Sequence, residues 1–216
     1  MVHGISFSKG VFFHNNHILS CAEVRHGVIH VWAEKMTFRT LLKMWYRILF
    51  SMPWYYHLFH LFLFFYAWKP LYQEIDPLWL LVYFAGFHFV FPKQLKQFHG
   101  AEHKVFSYMG EKKPENIEGV RRASIVNSGC STNSVTYFFA FFLMALLFIP
   151  LIWSIFVGFL GILLFSWKNT YVQRLGKPLR AISAFLQKYV TTKEPKNIHL
   201  ETAIRSYALF QHYVHK

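Results

Sequence analysis

This chain is expected to fold as a mainly α-helical, polytopic membrane bundle of about four spans, with a cytoplasmic helical face and a small N-terminal β element. Three features point there. Apolar residues make up 54% of the 216 and aromatic residues 20%, while charged residues reach only 15%, well under the roughly 25% of an ordinary soluble domain. The apolar residues gather in long runs. Lys and Arg outnumber Asp and Glu by 23 to 10, and the cations flank those runs as cytoplasmic loops do. Intrinsic disorder and a collagen-like chain are excluded by the same composition. The two cysteines, Cys21 and Cys130, stand in unlike contexts and imply no disulfide framework. The aromatic residues lie inside the apolar runs and not among the Lys and Arg, so no nucleic-acid partner is expected.

Residues 1–34 form an N-terminal segment placed in the cytoplasm. They show no signal-peptide pattern, and apolar residues alternate with polar ones through Val11–Phe13, Ile18–Leu19 and Val24–Val31, which predicts short strands or a hairpin. Residues 35–92 hold an interfacial helix and two spans. Arg39, Lys43 and Arg47 recur at four-residue spacing with Phe38, Leu41, Leu42 and Trp45 between them, as in a helix at the lipid headgroups. From Ile48 to Trp68 only Ser51, Pro53, His57 and His60 interrupt a run long enough for the roughly 20 apolar residues that a crossing needs. The polar linker Lys69–Pro77 leads to a shorter run, Leu78–Phe91, which would cross with help from a thinned bilayer.

Residues 93–134 are a polar cytoplasmic segment, with a short helix expected to begin near Pro114 or Glu115. The run 135–167 carries no formal charge and has Pro150 at its middle. It reads as one kinked helix or as two short spans in a hairpin. Three basic segments, Lys35–Arg47, Lys93–Arg122 and Lys168–Lys196, share the cytoplasmic side only if an even number of spans separates them. The hairpin is therefore preferred, and both termini of a multi-pass protein of the cell membrane fall in the cytoplasm. Residues 168–216 close the chain as an amphipathic segment, with Leu175, Leu179, Ile182, Phe185, Leu186 and Tyr189 at helical spacing. A helix resting on anionic lipid headgroups fits that pattern, so bilayer and headgroups are the expected partners.

The chemistry is concentrated in His99-Gly100-Ala101-Glu102-His103. Positions i, i+3 and i+4 share one helix face, so two imidazoles and a carboxylate can converge there. This H-x-x-E-H arrangement is that of the inverzincin peptidases, where the two His bind zinc and the Glu is general base. Zinc lowers the pKa of the water it binds to about 7. Chance gives only about 0.03 such matches in a chain of this composition, although imidazoles at a surface also occur for their amphipathic character alone. A catalytic zinc usually has a third protein ligand. Cys130, within Asn127-Ser128-Gly129-Cys130-Ser131-Thr132, is one candidate; Glu194 and Glu201 are others. His57 and His60, three residues apart, read as a hydrogen-bonded pair between helices.

The run Gln97-Phe98-His99-Gly100-Ala101-Glu102-His103-Lys104, with Glu115-Asn116-Ile117 and the Cys130 segment, resembles the central motif of the YqhQ-like bacterial membrane proteins. Thr191-Thr192-Lys193-Glu194-Pro195 followed by Glu201-Thr202-Ala203-Ile204 is similar to that family's C-terminal signature. The resemblance covers about half the chain, roughly Phe91 to Tyr207, and implies a membrane location and a metal-dependent activity that is itself a prediction. Two departures stand out. Asn127 occupies the position of a His in the family pattern, and no Gly-rich segment with a Val-Glu or Ile-Glu pair precedes Glu34.

The expectation is thus a membrane metalloprotein facing the cytoplasm, holding a divalent ion, zinc by preference, and hydrolysing a peptide or lipid-linked substrate. His99 and His103 bind the metal, Glu102 is the base, and Cys130 or Glu194 completes the shell. The rivals are a non-catalytic scaffold, in which the cluster is structural, and a small transporter using His57, His60 and His88.

Overall fold

Alternation in the first 35 residues builds a sheet rather than a single hairpin. Strands β1 (His3–Phe7), β2 (Gly10–His14), β3 (Ile18–Arg25) and β4 (Val28–Lys35) run antiparallel in the order β1-β2-β3-β4. The Asn15 carboxamide oxygen accepts from the main-chain N–H groups of His17 and Ile18, both at 2.8 Å, and shapes the second turn. His26 (φ 49°) and Gly27 (φ 80°) form the third, and two successive positive φ angles are what a type I′ hairpin requires. The computed structural model describes residues 2–68, 91–167 and 170–214. It divides into two units, one made of Met1–Asp76, Val90–Ile125 and Thr192–Lys216 and the other of Pro77–Phe89 and Val126–Thr191.

In the first unit both faces of the sheet are covered, as the period of two along each strand dictates. Helices α3 (Lys93–Ser107) and α9 (Asn197–Val214) lie on one face. There Val11 and Phe13 of β2 pack with Phe98, Ala101 and Val105 of α3 and Leu200, Ala203 and Ile204 of α9. Ser20 Oγ donates to the Ser206 carbonyl at 2.8 Å and Ser206 Oγ donates to the Val11 carbonyl at 3.0 Å, so the polar atoms in this interface are paired. On the opposite face Phe7, Phe12, Leu19 and Cys21 pack with Met44 of α1 (Phe38–Phe50). The Thr37 hydroxyl caps α1 by accepting from the Thr40 N–H at 3.2 Å. Helix α2 (Trp54–Trp68) follows, and a 3-10 turn at Pro114–Asn116 leads into α4 (Ile117–Arg122).

The second unit is built on a helical hairpin, α5 (Ser131–Leu146) and α6 (Leu151–Ser166), with Pro150 as the N-cap of α6. A Cβ on Gly158 would meet the Phe138 ring at 2.6 Å, so glycine lets the two helices close on each other. The short helices α7 (Thr170–Leu175) and α8 (Lys177–Leu186) and a π-helical turn, Gln187–Thr191, complete it.

The four-span membrane bundle is overturned, and the multi-pass location loses its support with it. No described helix is long and apolar enough to cross a membrane. The charge-free run 135–167 does contain a hairpin, but the turn at Leu147–Pro150 separates two helices of 16 residues each, the first of which begins before the run at Ser131. Sixteen residues rise about 24 Å, short of the roughly 30 Å of hydrocarbon. Among the described residues helix α2 has 15, and Ser51–Pro53 separates it from α1. The second expected span, Leu78–Phe91, lies outside the described residues except for Phe91. Of the three cations of α1, Arg39 is exposed, whereas Lys43 Nζ pairs with Glu34 and stands 4.2 Å above the Trp32 ring and Arg47 pairs with Glu23 at 3.1 Å. The C-terminal amphipathic segment is broken at Gly176 and again at the π turn.

Glu23 is the buried carboxylate of the α1 face, and it accepts from Arg25 at 2.6 Å and from Arg47 at 3.1 Å. Burial by itself would raise its pKa, but the hydrogen bonds and charges of the two guanidiniums outweigh it and hold the carboxyl below its usual range. A depressed folded-state pKa stabilises above the unfolded value, about 4.3 for Glu, and is lost as the pH falls through the folded value. Glu23→Gln should therefore cost about 1–3 kcal/mol in urea denaturation at neutral pH. The gap from wild type should close on acidification below pH about 4; a pH-independent gap would contradict the assignment.

Candidate metal centre

Helix α3 carries the H-x-x-E-H residues through the interior of the first unit. Gly100, Ala101, Glu102, His103, Lys104 and Val105 are all buried, and His99 is partly so. Phe98, Ala101 and Val105 anchor the helix in the apolar core. That anchorage fixes the rotation of α3 and so the direction of the face bearing His99, Glu102 and His103. The two imidazole rings are 4.2 Å apart between centroids, and a ligand nitrogen of one lies within 4.8 Å of a ligand nitrogen of the other.

Each histidine has a fixed tautomer. His103 Nδ1 is 2.7 Å from the main-chain carbonyl of Ile125; a carbonyl only accepts, so Nδ1 carries the proton and Nε2 the lone pair. His103 is fully buried, and its Nε2 has no hydrogen-bond partner. Leaving a buried acceptor unsatisfied costs about 1–3 kcal/mol. His99 Nδ1 is 3.3 Å from Glu102 Oε2 and donates to it, which places the lone pair of His99 on Nε2 as well.

Glu102 is held from the sheet. Ser6 Oγ donates a short hydrogen bond to Oε2, the same oxygen that His99 engages. A Cβ on Gly4 would stand 2.5 Å from Oε1, so β1 approaches the carboxyl as closely as only glycine permits. Gly4 and Ser6 pair with Phe13 and Val11 of β2, both core residues, and this pairing fixes the edge strand over α3. Burial would raise the Glu102 pKa, but the hydrogen bonds from His99 and Ser6, with the charge that either imidazole carries when protonated, outweigh it. The carboxyl is held below its usual range and stays ionised.

Cys130 belongs to the second unit, where it is buried and caps α5, its Sγ 3.2 Å from Thr132 Oγ1. Asn127 accepts the Gly129 N–H at 2.9 Å and donates its own N–H to Gln187 Oε1 at 2.8 Å. It shapes the turn that presents Cys130. Glu194 pairs with Lys104 at 3.0 Å, while Lys104 Nζ also donates to the carbonyls of Arg121 and Ala123. A buried ammonium is thus supplied with three acceptors, and Glu194 serves it. Glu201 pairs with Arg205 on the surface of α9 at 2.5 Å. His60 Nδ1 meets the Tyr56 carbonyl one turn earlier at 2.5 Å, so the expected pairing of His57 with His60 between helices is not what this nitrogen does. His88 lies outside the described residues. Ser6, Gly4 and the Ile125 carbonyl escaped the sequence reading, since nothing in residues 4–6 marks a link to a carboxylate nearly a hundred positions later.

Residues 28–212 match the model of a family described as "Protein of unknown function (DUF1385)". The chain belongs to this family. The match includes His99, Glu102, His103, Cys130 and Glu194 and begins after Gly4 and Ser6. Membership of DUF1385 carries no activity, and the finer YqhQ-like name does not follow from it. No curated protein and no solved structure matches the chain.

Removing the hydroxyl that holds Glu102 should be felt directly. Ser6→Ala should lower stability by about 1–3 kcal/mol, because it strips a donor from a buried ionised carboxylate. Thermal denaturation at neutral pH reads this, and an unchanged midpoint would contradict the tie between β1 and α3.

Proposed function

We propose that this DUF1385 chain is a metal-dependent hydrolase in which His99 and His103 bind one divalent ion through Nε2, zinc being the ion that suits them best. The observation that carries the reading is the His103 Nε2 lone pair, buried and without a donor to accept from. A metal-binding histidine usually donates its other ring N–H to a carbonyl or carboxylate, which fixes its tautomer. His103 does so to Ile125 and His99 to Glu102. A catalytic zinc usually has a third protein ligand and keeps a fourth position for water or substrate. Glu194, spent on Lys104, is not assigned to the shell. The run Gln97–Lys104 leads us to place the chain with the YqhQ-like members of its family.

A zinc ion in such a site polarises a substrate carbonyl and acidifies water. The protein's own part follows from its hydrogen bonds. Oε2 of Glu102 orients His99, and Oε1, which neither His99 nor Ser6 engages, is the oxygen we assign to take a proton from the attacking water. A peptide or a lipid-linked amide or ester is the substrate class that suits this chemistry. A purely structural cluster is the weaker reading, because a structural histidine would not leave a buried nitrogen unpaired.

Zinc titration of chelator-treated protein should give one site per chain. His103→Ala should abolish stoichiometric binding, Glu102→Gln should weaken it about 10–100-fold by releasing His99, and Glu194→Ala should leave it unchanged. With zinc restored, Glu102→Gln should hydrolyse peptide or ester probes about 10²–10⁴-fold more slowly than wild type. A folded wild-type chain that binds no zinc would end this reading.

A further inference from the structure

A cavity of about 840 Å³ opens in the first unit, and neither His99, Glu102 nor His103 lines it. Its volume lies within the range of roughly 300–1,000 Å³ typical of small-molecule sites. Its walls carry Lys9, Arg25, Arg47, Lys93 and Lys196 against one carboxylate, Glu23. That carboxylate is already engaged by both guanidiniums, at 2.6 and 3.1 Å. Glu23 therefore acts as a brace that holds two arginines side by side, while each guanidinium has five N–H donors to distribute. Such paired planar forks match the oxygens of a phosphate group.

Other lining groups add to the same preference. The first turns of α3 and α9 both contribute lining residues, and neither turn contains an acidic side chain. Helix α3 starts at Pro92, which supplies no side-chain cap for its leading N–H groups. No acidic side chain of either turn thus opposes an anion there. His199, buried, accepts the Lys196 N–H on Nδ1 at 3.2 Å, so its Nε2 carries the proton and is a donor. A neighbouring cavity shares Lys93, Gln97 and Lys196 and adds Lys96 and Lys193, while its one carboxylate, Glu194, serves Lys104. Burial, and then the charge of Lys193, depresses the Lys96 pKa. One wall is apolar: Tyr46 and Phe50 stand 4.4 Å apart between ring centroids and are more than half exposed.

We propose that this cavity binds a small phosphorylated molecule, its phosphate held by the Arg25–Glu23–Arg47 brace with Lys93 and Lys196, and its apolar or aromatic body laid on Tyr46 and Phe50. The shared chemistry is a phosphate monoester on a hydrophobic or flat group, which a nucleotide and a phosphatidate both possess.

Calorimetry on the full chain at low salt separates the sources, with inorganic phosphate, adenosine monophosphate, adenosine, short-chain phosphatidic acid and the matching diacylglycerol as probes. At least one phosphate ester should bind about tenfold or more tightly than inorganic phosphate, and the uncharged partners should not bind. Preference for the nucleotide supports a soluble metabolite, and preference for the phosphatidate a lipid headgroup. The surface double variant Lys93→Gln/Lys196→Gln, and separately Arg25→Gln, should each weaken the preferred ester by about tenfold or more while circular dichroism and zinc stoichiometry stay those of wild type. Three results would overturn the proposal: uncharged probes binding as well as charged ones, esters binding no better than inorganic phosphate, or both variants binding like wild type.

Discussion

A fully buried imidazole with one nitrogen tied to a main-chain carbonyl and the other left without a partner constrains the first unit. The Ile125 carbonyl fixes the proton on His103 Nδ1, and the packing of Phe98, Ala101 and Val105 fixes where the ring lies. Because α3 cannot rotate without emptying that core, the direction of the His103 lone pair is a consequence of packing and not of any local flexibility. The same rotation sets His99 one turn earlier beside it and puts Glu102 under the edge of the sheet.

The sheet is what makes this arrangement affordable in hydrogen bonds. An ionised carboxylate inside a protein needs donors, and Glu102 finds one on its own helix, His99, and one on β1, Ser6. Strand β1 is placed by its ladder with β2, and β2 is placed by Val11 and Phe13 in the core shared with α3 and α9. Lys104 works in the same manner at the next position along α3, joining the end of α4 to the Thr192–Pro195 stretch through two carbonyls and Glu194. Together these contacts link three separate stretches of the sequence around one helix. On the far side of the sheet Glu23 repeats the theme with two arginines, this time facing a cavity.

The helix face bearing His99, Glu102 and His103 was legible in the sequence, because spacing of three and four residues is a property of the α-helix itself. The N-terminal strands were legible in kind from their alternation, though not as a four-stranded meander, since pairing between strands leaves no local mark. Ser6 and Gly4 were not legible, because their role depends on a long-range approach that only the fold creates. The membrane reading failed for a specific reason. Ile48–Trp68 reads as one crossing and 135–167 as two short ones, yet Ser51–Pro53 interrupts the first and the hairpin at 135–167 is made of helices of 16 residues, too short to span. The regular cations of α1 likewise suggested headgroups, whereas Lys43 and Arg47 meet Trp32, Glu34 and Glu23 within the same unit.

Zinc-edge X-ray absorption on the purified chain tests the central claim most directly, since it reads the atoms around the ion and not merely its presence. The account predicts imidazole nitrogens at about 2.0 Å, with one imidazole contribution lost in His103→Ala. An unchanged imidazole shell in that variant, or a shell of oxygen alone in the wild type, would contradict it.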